Sequence, residues 1–339
     1  MTASPSVIVA VPSGLRAEFF TEDDLALLGA AAAGLAGDGL AVAESVEDAA
    51  GRFDLAAVQV VVIAWGAPRF DDGLLDRLPS LRLIAHTGAS VKPFVSEACF
   101  ERGVAVTQAG AGMARSVAEV SLAFTLALLH RIPRFDHALH AGAEWADAED
   151  APARHELLDA PIGVVGASRT GRAYLGMLRA LGARVLLADP TIDDAEAEAL
   201  GATLVPLSTL LAESRVVALH APSLPETRGM IGATELATMP DGAALVNTAR
   251  SWLVDEDAMI AELRSGRIDA ALDVFDDEPL PVGHELRTLP NVLLVPHKAA
   301  GTVEGRLRQG RIVVDEVGRF CAGESLLHAV SAADLERMA

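Results

Sequence analysis

Residues 161–190 read PIGVVGASRTGRAYLGMLRALGARVLLADP. An apolar strand pattern, Ile162 to Val165, breaks at Gly166. A glycine-punctuated turn follows, then a helical segment from near Thr170, then a second apolar run, Ala183 to Ala188, that ends on Asp189. This is a βαβ unit with an acidic residue about twenty positions after the turn, the layout of a dinucleotide-binding crossover. Gly166 lets the chain reverse sharply, and Gly171 lets the helix pack close to the sheet. The backbone at the helix start, Ser168, Arg169 and Thr170, presents N–H groups to a pyrophosphate, and the helix dipole favours that charge. Asp189 accepts hydrogen bonds from ribose hydroxyls and repels a 2′-phosphate, so the expected cofactor is NAD rather than NADP. Ser168 stands where the fingerprint has its middle glycine; its side chain is expected to push the backbone from the pyrophosphate or to take a tight rotamer. A βαβ unit that binds nothing has the same outline, so the surrounding chain carries the decision.

Outward from this unit, strand and helix patterns alternate. Ser6–Val11, Val58–Ala64, Leu81–Ala85 and Gly103–Thr107 read as strands before it. Thr203–Val205, Val216–Leu219, Ala244–Asn247, Ala270–Val274 and Val292–Val295 read as strands after it. Asp23–Ala36 reads as a helix with Gly37 as its stop signal, Ser116 to about His140 as a long apolar helix interrupted near Pro133, and Thr302–Cys321 as a final helix. Residues 142–155 read as polar and irregular. Such alternation predicts an α/β fold of parallel sheets with helices on both faces, and the apolar helix from Ser116 belongs at a domain or subunit interface.

The chain has 339 residues, enough for two domains and a large core. No run of about eighteen uncharged apolar residues is evident, so no membrane span is expected. The N-terminus reads as a first strand rather than a signal peptide. Cys99 and Cys321 suit a reducing cytoplasm and suggest neither a disulfide framework nor a metal site. A formal net charge of -20 disfavours nucleic acid and anionic membranes as partners. Lys92 and Lys298 are the only lysines; every other basic residue is arginine.

Ligands of a doubly wound sheet bind beyond the carboxyl ends of its strands. His220 follows one predicted strand, Asn247-Thr248-Ala249-Arg250 another, Asp273 and Glu278 a third, and His297 a fourth. The segments GVAVTQAGAGMARSVAE, LHAPSLPETRGMI, LVNTARSWLVDEDAMIAEL, AALDVFDDEPL and NVLLVPHKAAG carry a resemblance to the D-isomer-specific 2-hydroxyacid dehydrogenase family over about Leu81 to Phe320. That resemblance implies a flavodoxin-like substrate domain, residues 1–109 and 301–339, with a Rossmann NAD-binding domain, residues 110–300, inserted into it. It implies Arg250 as the carboxylate-binding arginine, His297 as proton donor and acceptor, and Glu278 as its acidic partner. Asp273 would hold the nicotinamide carboxamide. His220, Pro222, Thr227, Thr248 and Ala249 would line the cofactor groove, and the Gly88-Ala89-Ser90 turn would offer N–H groups to the substrate carboxylate.

The chemistry is consistent with that assignment. Reducing a 2-keto acid needs a hydride donor, a proton donor at the forming alkoxide and a cation on the carboxylate. An imidazolium donates near neutral pH. A neighbouring carboxylate favours the imidazolium and orients the ring. A guanidinium holds a carboxylate by two parallel hydrogen bonds. Outside its motif, Arg250 would be a surface charge, Glu278 a solvated acid and His220 a structural histidine; His86 has no motif but lies close to the substrate turn. Ser251, Trp252, Met113 and Ser168 depart from the family pattern, as do Lys92, where Asp is usual, and Lys298, where an apolar residue is usual. The two lysines flank the expected site. They either pair a second anionic group on the substrate (carboxylate, phosphate or phosphonate) or point to solvent. Two other readings keep the fold: a formate- or phosphite-type dehydrogenase, with Glu278 disfavouring formate, and a NAD-sensing corepressor-like binding protein. A homodimer is expected from the apolar helix.

Overall fold

The computed structural model describes residues 3–336. Of these, the residues up to Met113 and from Gly301 onward form one compact unit, and Ala114–Ala300 form the other. The strands in chain order are β1 Val7–Ala10, β2 Leu40–Ala43, β3 Val60–Ile63, β4 Leu83–His86 and β5 Ala105–Gln108 in the first unit. The second holds β6 Pro161–Val165, β7 Arg184–Ala188, β8 Thr203–Leu204, β9 Val216–Leu219, β10 Ala244–Asn247, β11 Asp269–Leu272 and β12 Val292–Leu294. After it the chain adds β13, Ala329–Val330, to the first unit.

The first sheet has the order β13-β5-β4-β3-β1-β2, parallel except for β13 against β5. Its core of β1 to β5 is the 2-1-3-4-5 doubly wound order. Val7, Val9, Val60 and Val62 face one apolar cluster, and Ile8, Val61, Ile63 and Ile84 face the other. Burial on both faces is what makes these strands continuous apolar runs. The second sheet is parallel throughout, in the order β12-β11-β10-β9-β6-β7-β8. This is the 3-2-1-4-5-6 dinucleotide-binding order with one added strand, and its order reverses between β6 and β9. Val165, Leu219, Asn247, Leu272 and Leu294 pair in register, and Val165 also pairs with Ala188. The next residue on each strand therefore lies on one edge: Gly166, Asp189, His220, Thr248, Asp273 and Val295.

Helix boundaries differ from the sequence reading where backbone geometry decides them. The second helix ends at Ala32, short of Gly37. Gly37 instead has φ 139° and passes so close to Ser4 and Ser6 that a Cβ would sit 3.0 Å from the Ser4 carbonyl. The long helix is two helices, Ala114–Leu129 and Ile132–His140. The break falls at Arg131, whose φ of 57° is left-handed, two residues before Pro133. Proline is tolerated in a first helical turn but not further in, so it starts the second helix and the chain breaks before it. A short helix, Trp145–Ala148, interrupts the irregular stretch.

One stretch meets a looser length-and-composition criterion for a membrane span although Arg115 and Glu119 lie within it. Gly110–Leu129 has a mean hydropathy of 1.4 and is long and apolar enough to cross a membrane by length and composition. Ala118, Phe124, Leu128 and Leu129 of its helical part instead join Ile162, Val164 and Tyr174 in the core of the second unit.

Candidate active site

The glycine turn is built by close approach. Gly166 has φ 95°, and a Cβ there would lie 2.6 Å from the Ala221 nitrogen. A Cβ on Gly171 would collide with the Gly166 carbonyl. Neither position accepts a side chain, so the helix start is drawn against β6 and β9. Ser168 has φ −60°, which any residue adopts, and its Oγ accepts from the Gly171 N–H at 3.3 Å as the helix N-cap. The middle glycine of the fingerprint is thus replaced by a cap rather than by strain. Arg169 opens the helix Arg169–Ala180, with Thr170 behind it. The first N–H groups of a helix lack intrahelical acceptors, so this turn fits a pyrophosphate.

Asp189 is already at work in the chain. Its Oδ2 accepts from the Ala167 N–H at 2.7 Å, and its Oδ1 accepts from the Thr191 N–H and hydroxyl at 2.8 and 2.6 Å. Burial would raise this carboxyl, but those hydrogen bonds and Arg172 hold it below the usual carboxylate value. The acid expected to meet a ribose also ties the end of β7 to the glycine turn.

The groove side follows from the in-register edge. His220 is buried, its ring 5.0 Å from that of Tyr174 and its Nε2 without a partner. Burial pushes its imidazole down to about 3, so it is neutral. Thr248 Oγ1 lies 2.8 Å from Ser121 Oγ, which fixes the helix Ala114–Leu129 to the end of β10. Thr227 donates to the Pro222 carbonyl at 2.7 Å and accepts from the Leu224 N–H at 2.9 Å, closing the loop around exposed Pro222.

Arg250, Glu278 and His297 lie in the same unit. His297 Nδ1 is 2.7 Å from Glu278 Oε2, and Glu278 Oε1 accepts from the Phe275 N–H at 3.1 Å. Their side chains are 49% and 37% exposed, so the pair is open to a reactant. Arg250 is half-buried; burial lowers its guanidinium and the charge of Glu278 opposes that shift. Its Nη1 donates to the Ala249 carbonyl at 2.6 Å. Asn247, which the site reading left out, clamps this turn: its Nδ2 donates to the Arg250 carbonyl at 2.8 Å, and its Oδ1 accepts from the Ala249 N–H at 3.0 Å. Its place in the NTAR motif was the available signal.

Asp273 is 2% exposed, and burial raises its carboxyl. Its oxygens accept from the Lys298 N–H at 2.8 Å and the Ala299 N–H at 3.1 and 3.2 Å. It therefore holds the backbone directly after His297, whose φ of 49° lies in the left-handed region unfavourable for a non-glycine residue. The Lys298 side chain is exposed.

In the first unit the Gly88 N–H, expected to face a substrate carboxylate, instead donates to His86 Nδ1 at 3.1 Å, because the ring packs under the turn. His86 is fully buried, and burial pushes it down to about 4. The ring thus accepts with Nδ1 and carries its proton on Nε2, which has no partner. Ala89 and Ser90 are half-buried, and Ser90 Oγ is likewise buried without a partner. Lys92 is exposed, and its carbonyl accepts from Arg69 at 3.4 Å. Among the described residues no cluster of His, Cys, Asp or Glu is arranged to hold a metal.

A parallel sheet of dinucleotide-binding order, with an Arg, a Glu–His pair and a glycine turn in one unit, defines a class of nicotinamide-dependent oxidoreductase folds. The chain belongs to the D-isomer specific 2-hydroxyacid dehydrogenase family: the model of that family's NAD binding domain matches residues 122–299, more than half of the chain. It is 33% identical over 261 residues to a glyoxylate reductase of Aeropyrum pernix, covering 76% of this chain and 78% of that one. It is 32% identical over 276 residues to a D-3-phosphoglycerate dehydrogenase of Archaeoglobus fulgidus, covering 81% of this chain. The chain spans about half the length of the phosphoglycerate dehydrogenases it matches, 52% in that case. A D-isomer specific 2-hydroxyacid dehydrogenase from Xanthobacter autotrophicus Py2, solved with NADPH and MES, is 29% identical with a TM-score of 0.74, covering 98% of this chain and all of that one.

Proposed function

We propose that this protein is an NAD-dependent dehydrogenase that interconverts a 2-keto acid and a 2-hydroxy acid. The Glu278–His297 pair at 2.7 Å carries the reading. It lies in the same unit as Arg250 and the dinucleotide turn, and both side chains remain partly exposed. A bound nicotinamide would supply or take up the hydride at C2. His297 gives a proton to the forming alkoxide or removes one from the hydroxyl. Glu278 orients the imidazole through Nδ1, leaving Nε2 for the substrate. Arg250 holds the carboxylate and polarises the carbonyl. Asp189 selects NAD by repelling a 2′-phosphate.

The proposal extends to the setting. The substrate is a small anion held by Arg250; the protein is cytoplasmic, which its two cysteines suit, and binds neither nucleic acid nor membrane, which the net charge of -20 supports. It is a homodimer; Ile132, Leu139, Trp145 and Leu158 leave large apolar side chains exposed on the second unit, as a self-association surface would. Lys298, exposed and adjacent to His297, gives the substrate a second anionic group as its preferred feature.

Loss of NADH absorbance with a panel of keto acids, run beside NAD reduction by phosphite and formate, tests the activity. Turnover of keto acids that disappears in His297→Ala is the expected result; turnover of phosphite alone, or cofactor binding with no turnover, overturns it. A preference for dianionic keto acids that Lys298→Met removes supports the role of the lysine, and a preference for apolar ones refutes it. Sedimentation showing a stable monomer at micromolar concentration removes the dimer.

A further inference from the structure

One cavity of the second unit stands apart in its charge. Its volume is about 570 Å³, and it opens where β6, β9, β10 and β11 begin, with Pro161, Arg215, Ala243 and Arg267 in its wall. Small-molecule sites have volumes of about 300–1,000 Å³. The dinucleotide turn lies at the other end of β6, roughly 15 Å away at about 3.3 Å per strand residue. The chain carries a net charge of -20, yet Arg131, His155, Arg215 and Arg267 line this cavity. Its carboxylates are Glu213 and Asp241, and other groups engage both. Glu213 lies 3.6 Å from Arg184, and Asp241, 89% exposed, lies 3.6 Å from Arg267.

The pairing of the cations leaves positive charge in surplus. Arg131 and Arg134 share the single carboxylate of Asp269, at 2.7 and 2.6 Å, and Arg131 and Asp269 are 3% and 2% exposed. Little solvent reaches that surplus, so its field extends into the cavity. Arg267 is matched by Glu262 at 2.6 Å and serves as wall. Arg215 meets no carboxylate among the described residues. Its Nη1 donates instead to His155 Nε2 at 2.8 Å, which leaves the ring proton on Nδ1. The backbone beneath the ring is fixed, because the His155 N–H donates to the Leu129 carbonyl at 2.9 Å. Burial and the charges of Arg215 and Arg131 push the imidazole below its ordinary value. Arg154 and Glu156 flank it in sequence; Arg154 lies over the Phe135 ring, and Glu156 is exposed. A guanidinium resting on an imidazole beside a second guanidinium is a poor arrangement for the protein alone. It becomes a good one when a negative charge arrives and ends the repulsion.

We propose that this cavity is a second ligand site, which takes a small molecule bearing a phosphate group and holds it by Arg215 and His155. A phosphate carries close to two charges in one group, which matches one guanidinium and one imidazolium. Arg215 turns from the ring to the phosphate oxygens. His155, freed at Nε2 and no longer opposed by uncompensated cations, takes up a proton and donates to the same group. The remaining volume holds the body of the ligand. The site lies wholly within the second unit and uses neither Arg250 nor the Glu278–His297 pair, so it stands or falls apart from the dehydrogenase reading.

The test is calorimetric titration of the full chain with inorganic phosphate at constant ionic strength. NADH is present at saturation to fill the glycine turn, and Arg250→Ala is the background, so that the substrate arginine takes no anion. One phosphate should bind per chain. Adding Arg215→Ala should weaken binding about 10- to 100-fold, the worth of charge-assisted hydrogen bonds. Each variant is checked for native melting behaviour, and Arg215→Gln serves if the alanine variant fails to fold. Sulfate, which has no proton to give or take near neutral pH, reads the histidine. Its binding in buffers of different ionisation enthalpy should show proton uptake by the protein, and His155→Asn should remove that uptake. Its Kd in the Arg250→Ala background should rise with pH above neutrality, by up to about tenfold per pH unit. Succinate, with its two charges on separate groups, should bind more weakly than phosphate. No binding of phosphate in the Arg250→Ala background, or equal binding once Arg215 is removed, overturns the site. Tighter binding of succinate overturns the phosphate assignment, and proton uptake that persists in His155→Asn overturns the role of His155.

Discussion

Removing the Asp273 carboxylate separates two roles for that residue. The resemblance gives it to the nicotinamide carboxamide, whereas its hydrogen bonds run to the N–H groups of Lys298 and Ala299. Asp273→Ala leaves the buried Ala299 N–H unsatisfied, at about 1–3 kcal/mol, and the part-buried Lys298 N–H, at less. It also frees His297 from a left-handed backbone that costs about 1–3 kcal/mol to maintain. Relaxation of that backbone swings the imidazole away from Glu278, and displacement of a positioned proton donor costs about 10²-fold or more in turnover. The expected outcome is a protein destabilised by at most about 3 kcal/mol, the donor loss being partly offset by the relaxed backbone, with kcat reduced about 10²-fold and NADH affinity changed far less. Asp273→Asn keeps one acceptor oxygen and should fall between the two. Urea unfolding, steady-state kinetics and NADH fluorescence titration measure the three quantities separately. Wild-type kcat in Asp273→Ala, or a loss confined to NADH affinity, would refute the positioning argument.

His297→Ala should lose about 10²- to 10⁴-fold in kcat, and Glu278→Gln, which weakens the hold on the imidazole, should lower kcat by less; a wild-type kcat in Glu278→Gln would remove Glu278 from the mechanism. Asp189→Ser should weaken NADH binding about 10- to 100-fold, the worth of charge-assisted hydrogen bonds, and narrow the gap to NADPH; a wild-type preference for NADPH in direct titration would show Asp189 to be a turn-fastening residue only. His86 carries a linkage to stability. Its value of about 4 lies below the ordinary imidazole value of about 6.5, so the unfolded chain takes up the proton first. The contribution is complete above about pH 6.5 and is lost as pH falls toward 4, by about 3 kcal/mol in all. Unfolding free energies measured across that window should fall less steeply for His86→Asn, and parallel slopes would contradict the burial argument.

The alternation of apolar runs and helical segments determined an α/β fold of parallel sheets, because strands buried on both faces must be apolar throughout. The glycines at 166 and 171 determined the cofactor turn, because backbone contacts there leave no room for a Cβ. The site residues Arg250, Glu278 and His297 were legible through the segments NTAR, DVFDDEP and VPH, which carry the family resemblance. Other features depended on groups far apart in sequence. Nothing local to Asp273 says that its carboxylate will accept from backbone twenty-five residues later; the in-register edge of β11 and β12 decides it. His86 has no motif, and only burial beside Gly88 makes its ring a neutral acceptor. Asp189 reads as a ribose ligand from its spacing, while its present bonds to Ala167 and Thr191 come from the closeness of β6 and β7. Arg306 lies over the rings of Phe19 and Trp65, which joins residues from both ends of the chain. Hydrophobic periodicity and motif spacing are properties of neighbours in sequence, whereas hydrogen-bond satisfaction and burial are settled only when distant segments meet.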